Sequence, residues 1–407
     1  MAARISTSSR TARRALIALT LVGAIGASTV GSSSAQVNVQ AGAQGSDGWR
    51  GITRKSVEID LGGGWVSKGE LSLPSSARKK VPLVVLLHGS GHQDMNETLP
   101  GVEVFVPIAQ TANREGFAVL RFNKRGVTGL GPTLTDDQSQ LNPPHIYEQV
   151  LADAATAIRF AAARPEVDPT RIYLLGHSEG TQTAANLSAD PSAANIPKPA
   201  GVIGMGVVGS DIRTLLTYQL FGKYLAQLHQ EFDLDGDGSL TRTEISNGLH
   251  GQPADLVAYY REVLLAGDEI NPGTDTDHDG TLSIDTEVSR VVRIKSRIDD
   301  YPDVEGLSEW NQRWAVDFGR FPNVTQDLPK FDGPTLLLNG ENDVQSPARA
   351  AHAAEAALEK AGHRDHELIT YPGVGHYMNI ASKFTGGPGP LAPIVLKDIG
   401  RWLGAHR

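Results

Sequence analysis

Four stretches of the chain, "VPLVVLLHG", "RIYLLG", "AGVIGMGVV" and "PTLLLNG", are short, nearly continuous apolar runs that close at or near a glycine. A strand with one face in water alternates apolar and polar residues, so runs of this kind require cover on both faces. Helical stretches at about 146–163 and 347–361 separate them and supply that cover. Two earlier segments, "SVEIDL" and "WVSKGELSLP", read as a leading hairpin, while "FAVLRF" and "HELITYPG" complete the strand set. Strands alternating with helices predict an α/β protein with a mostly parallel central sheet flanked by helices.

The alternation breaks once. From about 212 to 330 strand patterns vanish and long helical stretches such as "IRTLLTYQLFGKYLAQLHQEF" replace them. The expected organisation is therefore a core in two parts, 52–211 and 331–407, with a helical cap, 212–330, inserted between the sixth and seventh strands. A chain of 407 residues accommodates one large domain with such an insertion.

Arg4, Arg10, Arg13 and Arg14 precede the apolar run "ALIALTLVGAIGA", and a small-residue stretch ending "SSSAQ" follows. This is the pattern of an export signal over 1–35, followed by a Gln/Gly/Ser-rich linker over 36–51. The run from Ala15 to Ala27 is shorter than the roughly 20 residues a membrane-spanning helix needs, so no stable membrane anchor is expected. The expected location is secreted or periplasmic. The chain contains no cysteine, so packing or bound metal has to do what disulfides do in many exported proteins. Its formal charge is -9, and loss of a leader carrying four arginines and no acid takes it to -13. Such a surface disfavours nucleic acid and anionic lipid as partners.

The stretch "RIYLLGHSEGTQTAANL" puts Gly176-His177-Ser178-Glu179-Gly180 where a strand gives way to a helix. Glycines on either side permit a turn too tight for side chains, which leaves Ser178 exposed at the helix start as a nucleophile. A serine hydroxyl needs a base to take its proton, and the base needs an acid to fix its tautomer. "TLLLNGENDVQSP" offers Asp343, with Glu341 as a rival two residues earlier, and "LITYPGVGHYM" offers His376. The tetrahedral oxyanion needs backbone N–H donors. Candidates are the amides of Glu179 and of Ser90, the latter in "VVLLHGSGHQD". His88 reads as a loop-shaping residue, Glu179 as an acid favoured at a helix N-terminus, and Arg125 as a partner of a nearby carboxylate.

Inside the cap, "DLDGDGSLTRTE" places Asp233, Asp235 and Asp237 at positions 1, 3 and 5 of a twelve-residue loop. Gly238, Ser239 and Glu244 follow at 6, 7 and 12, so the loop meets the requirements of an EF-hand-like calcium site. A second loop, "DTDHDGTLSIDT", repeats the pattern with Asp275, Asp277, Asp279, Gly280 and Thr281. Its twelfth residue is Thr286, and the glutamate comes one later as Glu287. This loop either binds weakly, reaches Glu287 through a distorted turn, or serves only as a structural partner. Leu240 and Leu282, both at position 8, are expected to pair the loops.

The "HGSG" loop, the "GHSEG" elbow and the chain order Ser178, Asp343, His376 resemble the α/β-hydrolase superfamily, specifically serine esterases and related peptidase-like members. "FAVLRFNKRGVTG" is similar to the loop after the fourth strand in those proteins, with Asn123 where many have an acid. The resemblance covers about 52–211 and 331–407 and implies the α/β-hydrolase fold. It also implies hydrolysis of a small-molecule carboxylic ester through an acyl-enzyme; the acidic loops add the expectation of calcium in the cap, and no organic cofactor is expected. Two other readings stand beside it: a peptidase or thioesterase on the same fold, and a non-catalytic calcium-binding protein.

Overall fold

The computed structural model describes residues 46–407 except 303, 305 and 306. The leader expected over 1–35, and most of the linker, lie outside the described residues. Among those described, no helix is long and apolar enough to cross a membrane.

All of the sequence-predicted strands form. They are β1 (Ile52–Asp60), β2 (Val66–Pro74), β3 (Val81–Leu87), β4 (Ala118–Phe122), β5 (Val167–His177), β6 (Gly201–Met205), β7 (Thr335–Gly340) and β8 (His366–Tyr371). They make one eight-stranded sheet in the order β1-β2-β4-β3-β5-β6-β7-β8. β1 and β2 form the antiparallel hairpin, β2 meets β4 antiparallel, and every later pairing is parallel.

The apolar runs are apolar throughout because successive side chains leave a strand on opposite faces, and both faces here are covered. Leu83, Val85 and Leu87 of β3 enter one buried cluster with Ile172 and Leu174 of β5 and Leu337 of β7. Val84 and Leu86 enter the other, with Tyr173, Leu175, Leu336 and Leu338. Helices α1 (Phe105–Arg114), α2 (Ile146–Ala162) and α3 (Glu179–Ala189) follow β3, β4 and β5 in turn.

The insertion is two packing units. From Ile212 to Phe232 the chain runs helically, with π-helical turns at Tyr218–Gly222 and Leu228–Phe232. Then come α4 (Arg242–Leu249), α5 (Ala254–Leu264), α6 (Ser289–Ser296) and α7 (Glu309–Phe318). Leu228, Phe232, Leu240, Ile245, Tyr260, Leu282 and Val292 form a lobe with its own buried core. Ile212, Leu215, Leu216, Trp314 and Phe318 instead pack onto Ile146, Tyr147 and Val208 of the sheet domain. That second unit is fastened by hydrogen bonds: the Asp317 carboxylate accepts from the Tyr147 and Glu148 amides at 2.8 and 3.0 Å, and Arg313 donates to the Pro143 carbonyl at 2.6 Å. The helices α8 (Ala348–Lys360) and α9 (Pro393–Ala405) complete the layers, α8 on the α2 side and α9 against α1.

Strand order sets where chemistry can occur. β3 is followed by β4 on one side of it, whereas β5 and its successors lie on the other. The loops leaving the C-terminal ends of β3 and β5 therefore diverge and leave a crevice, the place where open α/β sheets bind ligands.

Candidate active site

Ser178 stands between β5 and α3 with φ 53° and ψ -117°. A non-glycine residue at positive φ costs on the order of 1–3 kcal/mol and persists only where its surroundings enforce it. Here they do. A Cβ on Gly176 would lie 2.0 Å from the Gly180 carbonyl oxygen, and one on Gly180 would lie 2.1 Å from that of Leu87. Only glycines let α3 start this close to β3 and β5. The Ser178 amide donates to the Met205 carbonyl at 2.9 Å, and this fixes the turn from the β6 side.

His376 and Asp343 come from the loops after β8 and β7. His376 Nδ1 lies 2.8 Å from Asp343 Oδ2, with both side chains almost wholly buried. Asp343 Oδ1 accepts from the Gln345 and Ser346 amides at 2.8 and 2.7 Å, so the carboxylate cannot swing. Glu341, the rival, is exposed and takes a hydrogen bond from Thr370 instead. His376 Nε2 is buried without a hydrogen-bond partner, and the ring lies over Gly206, next to the residue that anchors Ser178. Ser178 and His376 thus border the same Met205–Gly206 turn, with no hydrogen bond between them. Ser90, Ser178 and Glu179 line one small pocket with Trp314 and Phe318 from the insertion.

Two buried networks around this point were not read from the sequence. His177 Nδ1 lies 2.5 Å from Glu97 Oε1, and His177 Nε2 lies 3.1 Å from the His376 carbonyl oxygen. A carbonyl and a carboxylate only accept, so both ring nitrogens carry protons and the ring is an imidazolium facing a carboxylate. Burial alone would push the His177 pKa down, but the Glu97 charge and hydrogen bond outweigh it and the net shift is upward. The other Glu97 oxygen accepts from the Gly89 amide at 3.4 Å, so one ion pair ties together the loop after β3, the elbow and the His376 loop. In the second network Glu179, buried beyond what a dipole-capping acid needs, accepts from Lys124 at 2.6 Å and from the Trp314 indole. Lys124 also donates to the Gly89 carbonyl at 2.7 Å. The only sequence signal for either network was a titratable residue flanking Ser178 on each side. Arg125 behaves as expected, forking onto Asp153 at 2.9 and 2.7 Å.

The acidic loops pair through Leu240 and Leu282, as their shared position predicts, with Ser239 opposite Ser283. Carboxylate oxygens of Asp233, Asp235 and Glu244 lie within 4.8 Å of one another, as do those of Asp275, Asp277 and Asp279. Asp237 turns to the Ser239 amide at 2.7 Å, and Asp279 to the Thr281 amide at 2.8 Å. Glu244 accepts from the Leu234 amide at 3.0 Å and the Thr241 amide at 2.8 Å. Glu287, and not Thr286, makes the corresponding contacts in the second loop, with the Thr276 amide at 2.5 Å and the Ser283 amide at 3.0 Å. The extra residue is absorbed by a π-helical turn over Ile284–Val288.

A sheet of this order, with a serine on an enforced turn after β5 and a histidine–aspartate pair after β7 and β8, defines the α/β-hydrolase class of architecture. The chain belongs to the alpha/beta hydrolase family, whose profile matches residues 84–383. It is 31% identical over 161 residues to esterase EstD of Thermotoga maritima, an alignment covering 39% of this chain and 34% of that protein. The chain thus spans about a third of that relative's length. Among solved structures it is similar to carboxyl esterase 2 of the fungus Tuber melanosporum, at 16% identity and a TM-score of 0.47, with 88% of each chain covered. It is also similar to Est1E from Butyrivibrio proteoclasticus, at 16% identity and a TM-score of 0.43, with 86% of this chain and 98% of that one covered.

Two measurements check the networks. Removing one partner of a buried ion pair typically costs about 3–5 kcal/mol, whereas an exposed carboxylate away from such features costs within about 0.5 kcal/mol. Glu97→Ala should therefore lower the denaturant midpoint far more than Glu341→Ala, and equal midpoints would contradict the paired state of Glu97. His88 packs on Phe105 and Phe122, and burial lowers its pKa from 6.5 to about 4. Between those values the unfolded chain binds a proton that the folded one refuses, so stability falls as pH drops. The slope is at most about 1.4 kcal/mol per pH unit. His88→Asn should flatten the decline of melting temperature between pH 6.5 and 4, and an unchanged slope would show that His88 is not held neutral.

Proposed function

We propose that the protein is a secreted serine hydrolase that cleaves carboxylic esters through an acyl-enzyme. The observation that carries this reading is the buried 2.8 Å contact between His376 Nδ1 and Asp343 Oδ2 beside an enforced turn at Ser178. The likeness to EstD supports esters as the substrate class. Asp343 holds the proton on Nδ1, which leaves Nε2 free to take the Ser178 proton as Oγ attacks the ester carbonyl. The carbonyl oxygen becomes an oxyanion, for which the amides of Ser90 and Glu179 are the donors. The tetrahedral intermediate collapses, His376 gives its proton to the departing alcohol, and Ser178 keeps the acyl group. Water, deprotonated by His376, then attacks the acyl-enzyme and releases the acid and free Ser178. The Lys124–Glu179–Trp314 network fixes the residue that supplies one oxyanion donor.

Calcium belongs to the insertion in this proposal. Asp233, Asp235, Asp237, the Ser239 carbonyl and Glu244 would hold one ion, and Asp275, Asp277, Asp279, the Thr281 carbonyl and Glu287 a second. The donor set fits: it is all oxygen, and Asp275 Oδ1 is buried with no hydrogen-bond partner. Calcium supplies charge neutralisation there, holding two loops of like charge together across the Leu240–Leu282 bridge. An export signal over 1–35 delivers the chain to a calcium-rich compartment in which extracellular sites of about 10⁻⁴–10⁻³ M affinity stay filled.

Two experiments test these roles. Asp343→Asn should lower kcat on a nitrophenyl ester on the order of 10⁴-fold, as loss of the orienting acid does in triads, while Glu341→Gln leaves it unchanged. A loss below tenfold for Asp343→Asn would contradict the assignment. Calcium at ten times its Kd stabilises its site by about 1.4 kcal/mol, so chelation should lower the melting temperature while turnover of a small activated ester persists. Glu244→Gln and Glu287→Gln should each weaken calcium binding by calorimetry. No heat of binding at millimolar calcium would end the proposal, and an unaffected Glu287→Gln variant would remove the second site.

A further inference from the structure

The loop after β4 is bolted to the loop after β3 by three hydrogen bonds. The Met95 amide donates to Asn123 Oδ1 at 2.8 Å, the Lys124 amide to the Gln93 carbonyl at 2.9 Å, and Lys124 Nζ to the Gly89 carbonyl at 2.7 Å. The same Nζ lies 2.6 Å from Glu179 Oε1, with both side chains largely out of water. One ammonium therefore joins the loop after β3 to the first residue of α3, and each contact bears on a different backbone donor.

The Gly89 carbonyl and the Ser90 N–H belong to one peptide unit. A trans peptide is planar, so its C=O and N–H point in opposite directions, and holding the oxygen fixes where the hydrogen aims. A charged donor on that oxygen makes a strong bond, and hydrogen bonds in series polarise one another, so the ammonium also strengthens the Ser90 N–H as a donor. Gly89 is held at its other end too, where its amide donates to Glu97 at 3.4 Å. This unit abuts Ser178: a Cβ on Gly89 would lie 3.5 Å from Ser178 Cβ. On the other side, the Glu179 side chain is clamped between Lys124 and the Trp314 indole, which holds the residue whose own amide starts α3. Ser90, Ser178 and Glu179 line one small pocket, and Lys124 does not reach it.

We infer that Lys124 is a positioning residue for ester cleavage: through the Gly89 carbonyl and the Glu179 carboxylate it sets the Ser90 and Glu179 amides as a pair of oxyanion donors. The assignment rests on the serine-esterase reading above. An ion pair that served stability alone would lower the melting temperature when broken and leave the chemistry of the folded enzyme as it was.

The test compares wild type, Lys124→Met, Glu179→Gln and the double variant on nitrophenyl acetate, and with a trifluoromethyl ketone, which a serine hydroxyl converts into a tetrahedral oxyanion. Lys124→Met should lower kcat on the order of 10²-fold, the cost of losing an oxyanion donor. KM should hold, because acylation and deacylation both pass through the oxyanion and the ground-state ester does not. The Ki of the ketone should rise by the same factor as kcat falls. Lys124→Met also leaves the Glu179 carboxylate buried and unpaired, so the double variant measured against Glu179→Gln isolates the Gly89 contact, and its loss should be at least about tenfold. If Lys124→Met does not fold, that comparison decides alone. A folded variant whose kcat falls by less than about tenfold, short of what a donor is worth, overturns the positioning role and leaves the esterase reading intact. So does a change in KM alone, or a Ki that stays fixed while kcat falls. A wild-type protein that neither cleaves the ester nor binds the ketone overturns both readings together.

Discussion

The close approach of α3 to the ends of β3 and β5 is the constraint on which the rest of the site depends. Two glycines without side chains, Gly176 and Gly180, let backbone pack on backbone at distances that a methyl group would forbid. That packing drives Ser178 into a conformation it would not choose, and the sheet's large core supplies the stability that holds it there. From the same turn His177 reaches Glu97 and the His376 loop, while Glu179 reaches Lys124 and Trp314. The residues on either side of Ser178 thus fasten it to its surroundings in two directions.

The two units of the insertion stand in different relations to that turn. The unit built around α7 roofs the pocket at Ser178 through Trp314 and Phe318, and its hydrogen bonds to the start of α2 make it part of the sheet domain. The lobe carrying the acidic loops has its own buried core and contributes no residue to that pocket. A metal held in that lobe, as proposed, would act on stability, at a distance from Ser178.

Much of this was legible in the sequence because it is local. Each strand announces itself in six to ten consecutive residues, and Ser178 in five. Asp343 could be separated from Glu341 only by the fold, since the two sit two residues apart and differ in which one turns inward. The Glu97–His177 pair joins residues 80 positions apart, and the Glu179–Trp314 bond spans 135, so no spacing rule reaches them. Glu287 was visible as a glutamate displaced by one position. That a π-helical turn brings it back to the place Glu244 occupies in the first loop is a property of the backbone. The division of the insertion into two cores was hidden for a similar reason: its helices are amphipathic either way, and sequence shows an apolar face without showing what covers it.

The central claim is that Ser178 is the nucleophile, and the most direct measurement is covalent. The protein is treated with a fluorophosphonate that reacts with activated serines, digested, and mapped by mass spectrometry. The account predicts one adduct per chain on the peptide carrying Gly176 to Gly180, formed together with loss of ester turnover. An adduct on a different serine, or full turnover with Ser178 unmodified, would contradict it.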